Sequence, residues 1–113
     1  MAEFTHLHLH TEFSLLDGMG RVDDYIASAQ QMGMNNMAVT DHGVMYGSMD
    51  WYKAATSAGM NPIMGMEAYL SEGPASEQNR KMYHLLLLAE NNVGYRNLIK
   101  LASEAALHGF YYK

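Results

Sequence analysis

The sequence predicts an α/β fold whose strands are parallel, arranged either as a parallel sheet or as a βα-barrel. Apolar segments typical of strands alternate with segments typical of helices along the 113 residues, about four βα units in all. A short repeat agrees with this order, because Gly33–Asn35 and Gly59–Asn61 share the sequence Gly-Met-Asn and each links a predicted helix to a strand. Polar residues then follow the predicted strands, where βα-barrels place their catalytic groups.

The first predicted strand, Phe4–His10, alternates histidine with leucine. Alternation in a strand directs His6, His8 and His10 to one face. Residues two apart on a strand are about 6.5–7 Å apart, so two imidazoles there can reach one metal ion at about 2.0–2.1 Å. Asp17 follows in a turn and can add a carboxylate, which favours a divalent cation with nitrogen and oxygen ligands. The alternative is an edge strand with a polar outer face.

The remaining elements follow from capping and periodicity. The sequence predicts helices over Val22–Met32, from Ser48 as N-cap to Ala58, and from Asn91 or Asn92 to Gly109, and strands over Asn36–Thr40, Ile63–Leu70 and Lys81–Ala89. The polar stretch Ser71–Arg80 is predicted to be a loop, and Phe110–Lys113 to begin a further element.

The composition excludes several classes of protein. The net charge is −5 with no basic cluster, so the surface would not hold nucleic acid through its own charge. The absence of cysteine excludes a disulfide framework and thiolate zinc sites and fits a reducing cytoplasm. No apolar run approaches the length of a membrane span and no signal peptide is evident. We therefore expect a cytoplasmic protein without a membrane partner.

Candidate ligands recur once per βα unit. His8 and His10 end the first strand, and His42 follows the second. Glu67 lies in the third strand and His84 in the fourth. Glu67 is the strongest of these candidates, because a carboxylate in an apolar strand needs a partner or a metal ion. His42 or His84, taken singly, would more often be a structural histidine.

These segments resemble the motifs of the PHP (polymerase and histidinol phosphatase) family. The resemblance is carried by His8–Thr11 with Ser14 and Asp17–Gly18, by Thr40–Gly43, by Gly65–Glu67 and by His84–Ala89. Three further stretches, Phe13–Gly18, Asn61–Glu67 and Asn92–Leu98, are similar to the PHP domains of bacterial DNA polymerase III alpha subunits. The resemblance covers essentially the whole chain.

The resemblance implies a distorted βα-barrel of seven strands, of which residues 1–113 would be the N-terminal part, incomplete at the C-terminal end. It also implies a cluster of zinc, manganese or iron ions at one barrel mouth. The matching ligands are His8, His10, Asp17, His42, Glu67 and His84. Asp17, His42 and Glu67 would also be catalytic, Asp41 would orient the ligands, and His6 would lie outside the cluster.

The function implied by the resemblance belongs to DNA replication. The PHP site would be a metal-dependent phosphoesterase giving 3′–5′ proofreading exonuclease activity, and the nucleotidyltransferase site would lie in later domains. The partners would be DNA and other polymerase III holoenzyme subunits. The alternatives are a scaffold or docking module for a separate proofreading subunit, and a histidinol-phosphatase-like enzyme. The isolated chain is expected to be inactive and to self-associate through unpaired strand edges.

Overall fold

The computed structural model describes residues 3–78 and 81–109. The elements in chain order are α1 (Val22–Gln31), β1 (Asn36–Val39), α2 (Ser48–Ser57), β2 (Asn61–Ser71), β3 (Met82–Leu88) and α3 (Asn92–His108). The predicted α/β class is confirmed, and from α1 onward each element lies within two residues of its predicted bounds. The element predicted to begin at Phe110–Lys113 lies outside the described residues. None of the described helices combines the length and the apolar content needed to cross a bilayer.

The sheet has the order β1-β2-β3. β1 and β2 are parallel, with Asn36 opposite Asn61, whereas β2 and β3 are antiparallel, with Gly65 opposite Leu88. The expectation that every strand is parallel is therefore wrong for β3. Because only residues 72–81 join β2 to β3, the connection is too short for the crossover that a parallel pair requires, and the chain returns as a hairpin.

The predicted first strand is wrong as a regular strand, although residues 4–10 do run beside β1. Ala38 N–H donates to His6 O, and Thr40 N–H donates to Leu9 O, both at 2.9 Å. These acceptors are three residues apart while the donors are two apart, so an extra residue interrupts the ladder as in a β-bulge. A side-chain hydrogen bond takes the place of a backbone bond at this interruption, because Thr40 Oγ1 accepts from Leu9 N–H at 2.8 Å.

The apolar core lies between the two N-terminal helices and the sheet. Its buried members are Val22, Ile26, Ala29, Met37, Val39, Trp51, Ala55 and Met60. They come from α1, α2 and β1, together with the residue that precedes β2. Burial of these side chains fixes the helices on one face of the sheet. None of the core residues is a candidate ligand, so the polar cluster lies outside this core.

The two Gly-Met-Asn repeats end α1 and α2 in the same way. Gly33 and Gly59 adopt left-handed backbone conformations, with φ of +76° and +74°, which glycine reaches without strain. The next amides, Met34 N–H and Met60 N–H, each donate at 2.9 Å to a carbonyl five residues earlier. This Schellman motif sets the starting point of both β1 and β2.

The N-termini of α2 and α3 differ in how they are capped. The predicted N-cap Ser48 is wrong, because Gly47 occupies that position and no side chain caps α2. The prediction is confirmed for α3, where Asn91 Oδ1 accepts from Val93 N–H at 3.0 Å and from Gly94 N–H at 3.2 Å. A cap of this kind satisfies backbone donors that have no partner within the helix.

Candidate metal centre

The buried carboxylate of Glu67 lies at the middle of a group of histidines. Its side chain is 6% exposed, and Oε2 lies 3.0 Å from His8 Nε2 and in close contact with His10 Nε2. The other oxygen, Oε1, lies 3.1 Å from His84 Nδ1. The two oxygens of one carboxylate therefore face two different sets of imidazoles.

His42 joins this group to the carboxylate of Asp17. It follows β1 and pairs with Glu67 in a parallel bridge, so the two side chains start from neighbouring backbone positions. His42 Nδ1 lies 2.5 Å from Asp17 Oδ2, and His42 Nε2 lies 3.2 Å from His84 Nε2. The His10 ring stacks on the His42 ring with centroids 5.3 Å apart.

The structure brings all six sequence-predicted ligands together. They form three overlapping groups, His8–His10–Glu67, His10–Asp17–His42 and His42–Glu67–His84, in which the candidate ligand atoms lie within 4.8 Å of one another. Two ligands bound tetrahedrally to zinc at about 2.0–2.1 Å are about 3.3 Å apart. Three of the observed separations between donor atoms, 3.0 to 3.2 Å, are close to this distance, and the His10–Glu67 and His42–Asp17 contacts are shorter. The donor set of imidazoles and carboxylates fits zinc, manganese or iron.

His6 lies apart from these groups, as the resemblance implied. Its ring packs edge-on against Phe4, with centroids 4.8 Å apart, and it belongs to none of the three groups of possible ligands. Alternation alone predicted that His6, His8 and His10 share one face. This prediction is wrong for His6, because the extra residue in segment 4–10 breaks the alternation.

The cluster is closed at its base and open toward solvent. The side chains of His8 and His84 are 55% and 50% exposed, in contrast to the buried Glu67. Burial alone would raise the pKa of Glu67, but hydrogen bonds from His8 and His10 and the charges of these imidazoles outweigh it and lower the pKa. Glu67 is therefore ionised at neutral pH.

Asp41 lies behind the cluster. It is 2% exposed, and its Oδ1 accepts from Thr11 N–H at 2.7 Å, from Thr11 Oγ1 at 2.9 Å and from Ser14 Oγ at 2.8 Å. It belongs to none of the three groups of possible ligands. Its contacts are with the segment that carries Asp17, and its orienting role stays a prediction.

Sequence reasoning missed Tyr69. The Tyr69 ring stacks on His42 with centroids 4.8 Å apart and meets His84 edge-on at 5.4 Å. Burial first, and then the negative charges of Asp17 and Glu67, raise its pKa. A signal existed, because Tyr69 stands two positions after Glu67 in a strand and so shares its face.

Two surface clefts lie away from the cluster. One lies between α1 and α2 and includes Arg21 and Lys53 in its lining, and the other lies between α2 and α3 and includes Tyr52 and Tyr95. Neither cleft contains any of the six candidate ligands. Both clefts are therefore separate from the open cluster of candidate ligands.

The chain belongs to the PHP domain family, which matches residues 6–113. Solved structures agree on the fold. An amidohydrolase from Chromobacterium violaceum with bound sulfate and no metal superposes with a TM-score of 0.62 at 24% identity, covering 85% of this chain and 32% of that protein. A candidate metal-dependent phosphoesterase from Bifidobacterium adolescentis gives 0.64 at 20% identity, covering 94% and 34%. At these identities the likeness shows the fold alone.

Curated proteins similar to this chain include DNA polymerase III alpha subunits, as the sequence motifs indicated. The subunit from Borreliella burgdorferi is 43% identical over 99% of this chain and 10% of its own length. The subunit from Helicobacter pylori strain 26695 is 46% identical over 96% of this chain and 9% of its own length. The chain thus spans about a tenth of the length of these relatives.

Proposed function

We propose that this chain supplies six of the metal ligands of a PHP site in a bacterial DNA polymerase III alpha subunit. We propose that this site hydrolyses the terminal phosphodiester of a DNA strand in the 3′ to 5′ direction. The observation that supports this most is the convergence of four imidazoles and two carboxylates in one cluster. The identity to polymerase III alpha subunits supports the replicative setting. The description of a structural relative as a candidate metal-dependent phosphoesterase supports the reaction class.

We propose that residues 1–113 form the N-terminal part of a PHP barrel. The support is that solved proteins of this fold are about three times longer, since the chain covers 32% and 34% of the two structures compared. Further strands would add to the sheet, and further ligands would complete the cluster.

The six side chains are proposed to bind and orient divalent cations of zinc, manganese or iron. Glu67 would take part in binding with His8 and His10 through one carboxylate oxygen and with His84 through the other, because its two oxygens face different histidines. His42 and Asp17 would add further ligands. Such cations polarise a phosphoryl oxygen, lower the pKa of a water molecule and stabilise the leaving oxygen.

The charge of the site makes hydrolysis strictly dependent on metal. Asp17 and Glu67 place two carboxylates at the cluster, in a chain of net charge −5. A phosphodiester is itself anionic, so it would be repelled by these groups unless bound cations reverse the local charge. Asp17, His42 and Glu67 are the residues proposed to contact both the cations and the reacting groups.

The test is the double substitution His8→Ala with His10→Ala in the intact polymerase subunit. We expect loss of metal-dependent removal of mismatched 3′ nucleotides, with nucleotide addition largely retained, because the two activities use different domains. His6→Ala is the matched control, since His6 lies in the same segment but outside the cluster. Bound metal should fall in the double variant and not in the control.

Each outcome of this test has a defined meaning. Mismatch removal at the normal rate by the double variant, with no partner exonuclease present, would contradict the proposed hydrolysis. Full metal content in the wild type without any 3′ removal would instead favour a scaffold or docking module for a separate proofreading subunit. Circular dichroism of both variants separates these outcomes from loss of folding, since metals often stabilise the fold they bind.

The proposed setting defines the partners. DNA and other polymerase III holoenzyme subunits would be bound through the intact subunit in the bacterial cytoplasm. The isolated chain is proposed to self-associate, because Leu85 and Leu88 on β3 are 44% and 40% exposed, and an uncovered strand edge invites pairing. Light scattering of the isolated chain would measure its mass.

A further inference from the structure

The hydroxyl of Ser14 connects two parts of the cluster that are distant in sequence. Ser14 is 2% exposed. Its Oγ donates to Asp41 Oδ1 at 2.8 Å and accepts from His42 N–H at 2.9 Å. One buried hydroxyl therefore acts as donor and acceptor at once, and its acceptor role is to the backbone of a candidate ligand.

The backbone of Ser14 also holds the turn that carries Asp17. The Ser14 carbonyl accepts from Asp17 N–H at 3.1 Å and from Gly18 N–H at 2.8 Å. The Ser14 amide donates to Thr11 O at 2.9 Å. The same residue thus contacts the backbone on both sides of the short Asp17–His42 contact described above.

The turn itself is strained, and besides the bonds of Ser14 it is spanned by a backbone hydrogen bond from Glu12 N–H to Gly20 O at 2.9 Å. Leu16 has a φ of +73°, in the left-handed region that a leucine rarely adopts, and its side chain is fully exposed. A Cβ on Gly18 would lie 2.3 Å from Thr11 O, which shows how tightly the backbone is folded. A strained conformation persists only where its surroundings enforce it, and packing of Leu16 does not do so.

We propose that Ser14 is a positioning residue that sets the separation between the Asp17 carboxylate and the His42 imidazole. Its anchor is Asp41, whose buried carboxylate also accepts two bonds from Thr11. The role in metal binding rests on the proposed function, whereas the role in holding the turn does not. Ser14 contacts no candidate ligand atom in the hydrogen bonds described here, so it acts through Asp17 and His42.

The first measurement is amide hydrogen exchange of the intact, metal-free protein, comparing the wild type with Ser14→Ala. The alanine variant keeps the backbone carbonyl that accepts from Asp17 and Gly18 and loses only the hydroxyl. We expect the peptide that carries these two amides to exchange about tenfold faster. The control Ser103→Ala, at an exposed position of α3, should leave that peptide unchanged. Unchanged exchange in Ser14→Ala would overturn the proposal.

The second measurement is a double-mutant cycle on zinc affinity with Ser14→Ala and Asp17→Asn. Alone, Ser14→Ala should weaken zinc binding by about tenfold or more, as is typical of residues that orient ligands. In the Asp17→Asn background it should cause a smaller loss, because one of the two ligands that it positions is already gone. An equal loss in both backgrounds would overturn the positioning role.

Two further results are distinguished by the design. A wild-type protein that binds no zinc would contradict the proposed function. The exchange measurement would still decide whether Ser14 holds the turn. If circular dichroism shows that Ser14→Ala does not fold, Ser14→Cys replaces it in both measurements. The cysteine has a similar size and a weak donor, so smaller changes in the same direction are expected. The absence of any change in Ser14→Cys would overturn the proposal.

Discussion

The segment from Phe4 to Gly18 and the hairpin of β2 and β3 deliver candidate ligands to the same place by different means. In the hairpin, Glu67 and His84 lie on adjacent strands joined by a regular antiparallel ladder. In the N-terminal segment no regular strand forms. Its two backbone hydrogen bonds, from Ala38 and Thr40, are supplemented by bonds to the side chains of Thr40 and Asp41. A regular ladder positions one set of ligands, and an interrupted ladder reinforced by buried polar side chains positions the other.

This difference identifies where the site is sensitive to substitution. A ladder depends on the backbone, so most side chains along it can change without moving a ligand. An irregular segment depends on particular hydroxyl and carboxylate groups, and each such group is needed. Residues such as Asp41, which offer no atom to the clusters of ligands, should therefore matter as much as the ligands themselves.

The largest effect is expected for Asp41→Ala. It removes the acceptor of the Thr11 amide and of the Thr11 and Ser14 hydroxyls, so three buried donors lose the acceptor that they have in the wild type. We expect the free energy of unfolding to fall by about 3 kcal/mol or more, measured by urea denaturation without metal. Asp50→Ala, at an exposed position of α2, is the control. Equal stability of the two variants would show that the N-terminal segment does not depend on this carboxylate.

A smaller loss is expected when the ladder is disturbed by Gly65→Ala. A Cβ there would lie 2.6 Å from Leu87 O, within the β2–β3 pairing. Overpacking of this kind costs about 2 kcal/mol. Gly33→Ala serves for comparison, because it adds a Cβ with nothing within 4 Å but at a φ of +76°, for which about 1 kcal/mol is expected. Thermal unfolding would measure both, and only Gly65→Ala should also weaken zinc binding.

Thr40→Val tests the N-terminal segment at a single hydrogen bond. The substitution keeps the shape of the fully buried side chain but leaves Leu9 N–H without its acceptor. The expected loss is about 1–2 kcal/mol, with weaker zinc binding because Leu9 stands between His8 and His10. Thr56→Val, on the exposed side of α2, should change neither quantity. Urea denaturation would measure the stability and zinc titration the affinity. A Thr40→Val variant that matches Thr56→Val in both quantities would contradict the prediction.

The smallest effect concerns pH. The pKa of Glu67 in the folded, metal-free protein lies below the ordinary value of 4.5, so folding favours its ionised form. The resulting stability is present above the unfolded-state pKa and is lost as the pH falls through the lower folded-state pKa. The stability difference between the wild type and Glu67→Gln should therefore shrink as the pH falls below 4.5. A difference that stays constant over this range would contradict the pKa shift.

Sequence reasoning identified the elements whose signals are local. Periodicity and glycine stops located α1, α2 and α3. The recurrence of polar residues in or after strands pointed to five of the side chains that the structure brings together, the turn after the first segment added Asp17, and the PHP motifs implied the full set as ligands. The antiparallel direction of β3 was missed because connection length was not weighed against the expected crossover. The irregular path of segment 4–10 depends on Thr40 accepting Leu9 N–H, a tertiary contact that alternation in sequence does not reveal. Ser14 was quoted only as part of a motif, since its two partners lie 27 and 28 residues away.

The paired helix endings at Gly33 and Gly59 have a consequence for how the chain length can vary in related proteins. Because both turns lead directly into adjacent parallel strands, a residue inserted or deleted between Gly59 and Glu67 would shift the pairing of β2 with β1 by one position. Side chains in a strand alternate between faces, so such a shift would direct Glu67 away from His8, His10 and His84. The mostly exposed loop of residues 72–78 lies at the closed end of the hairpin, beyond the Ser71–Met82 pair, so a change in its length leaves the pairing of β2 with β1 unchanged. We therefore expect insertions and deletions among relatives to accumulate in that loop and to be rare between the two glycines and the ligands that follow them.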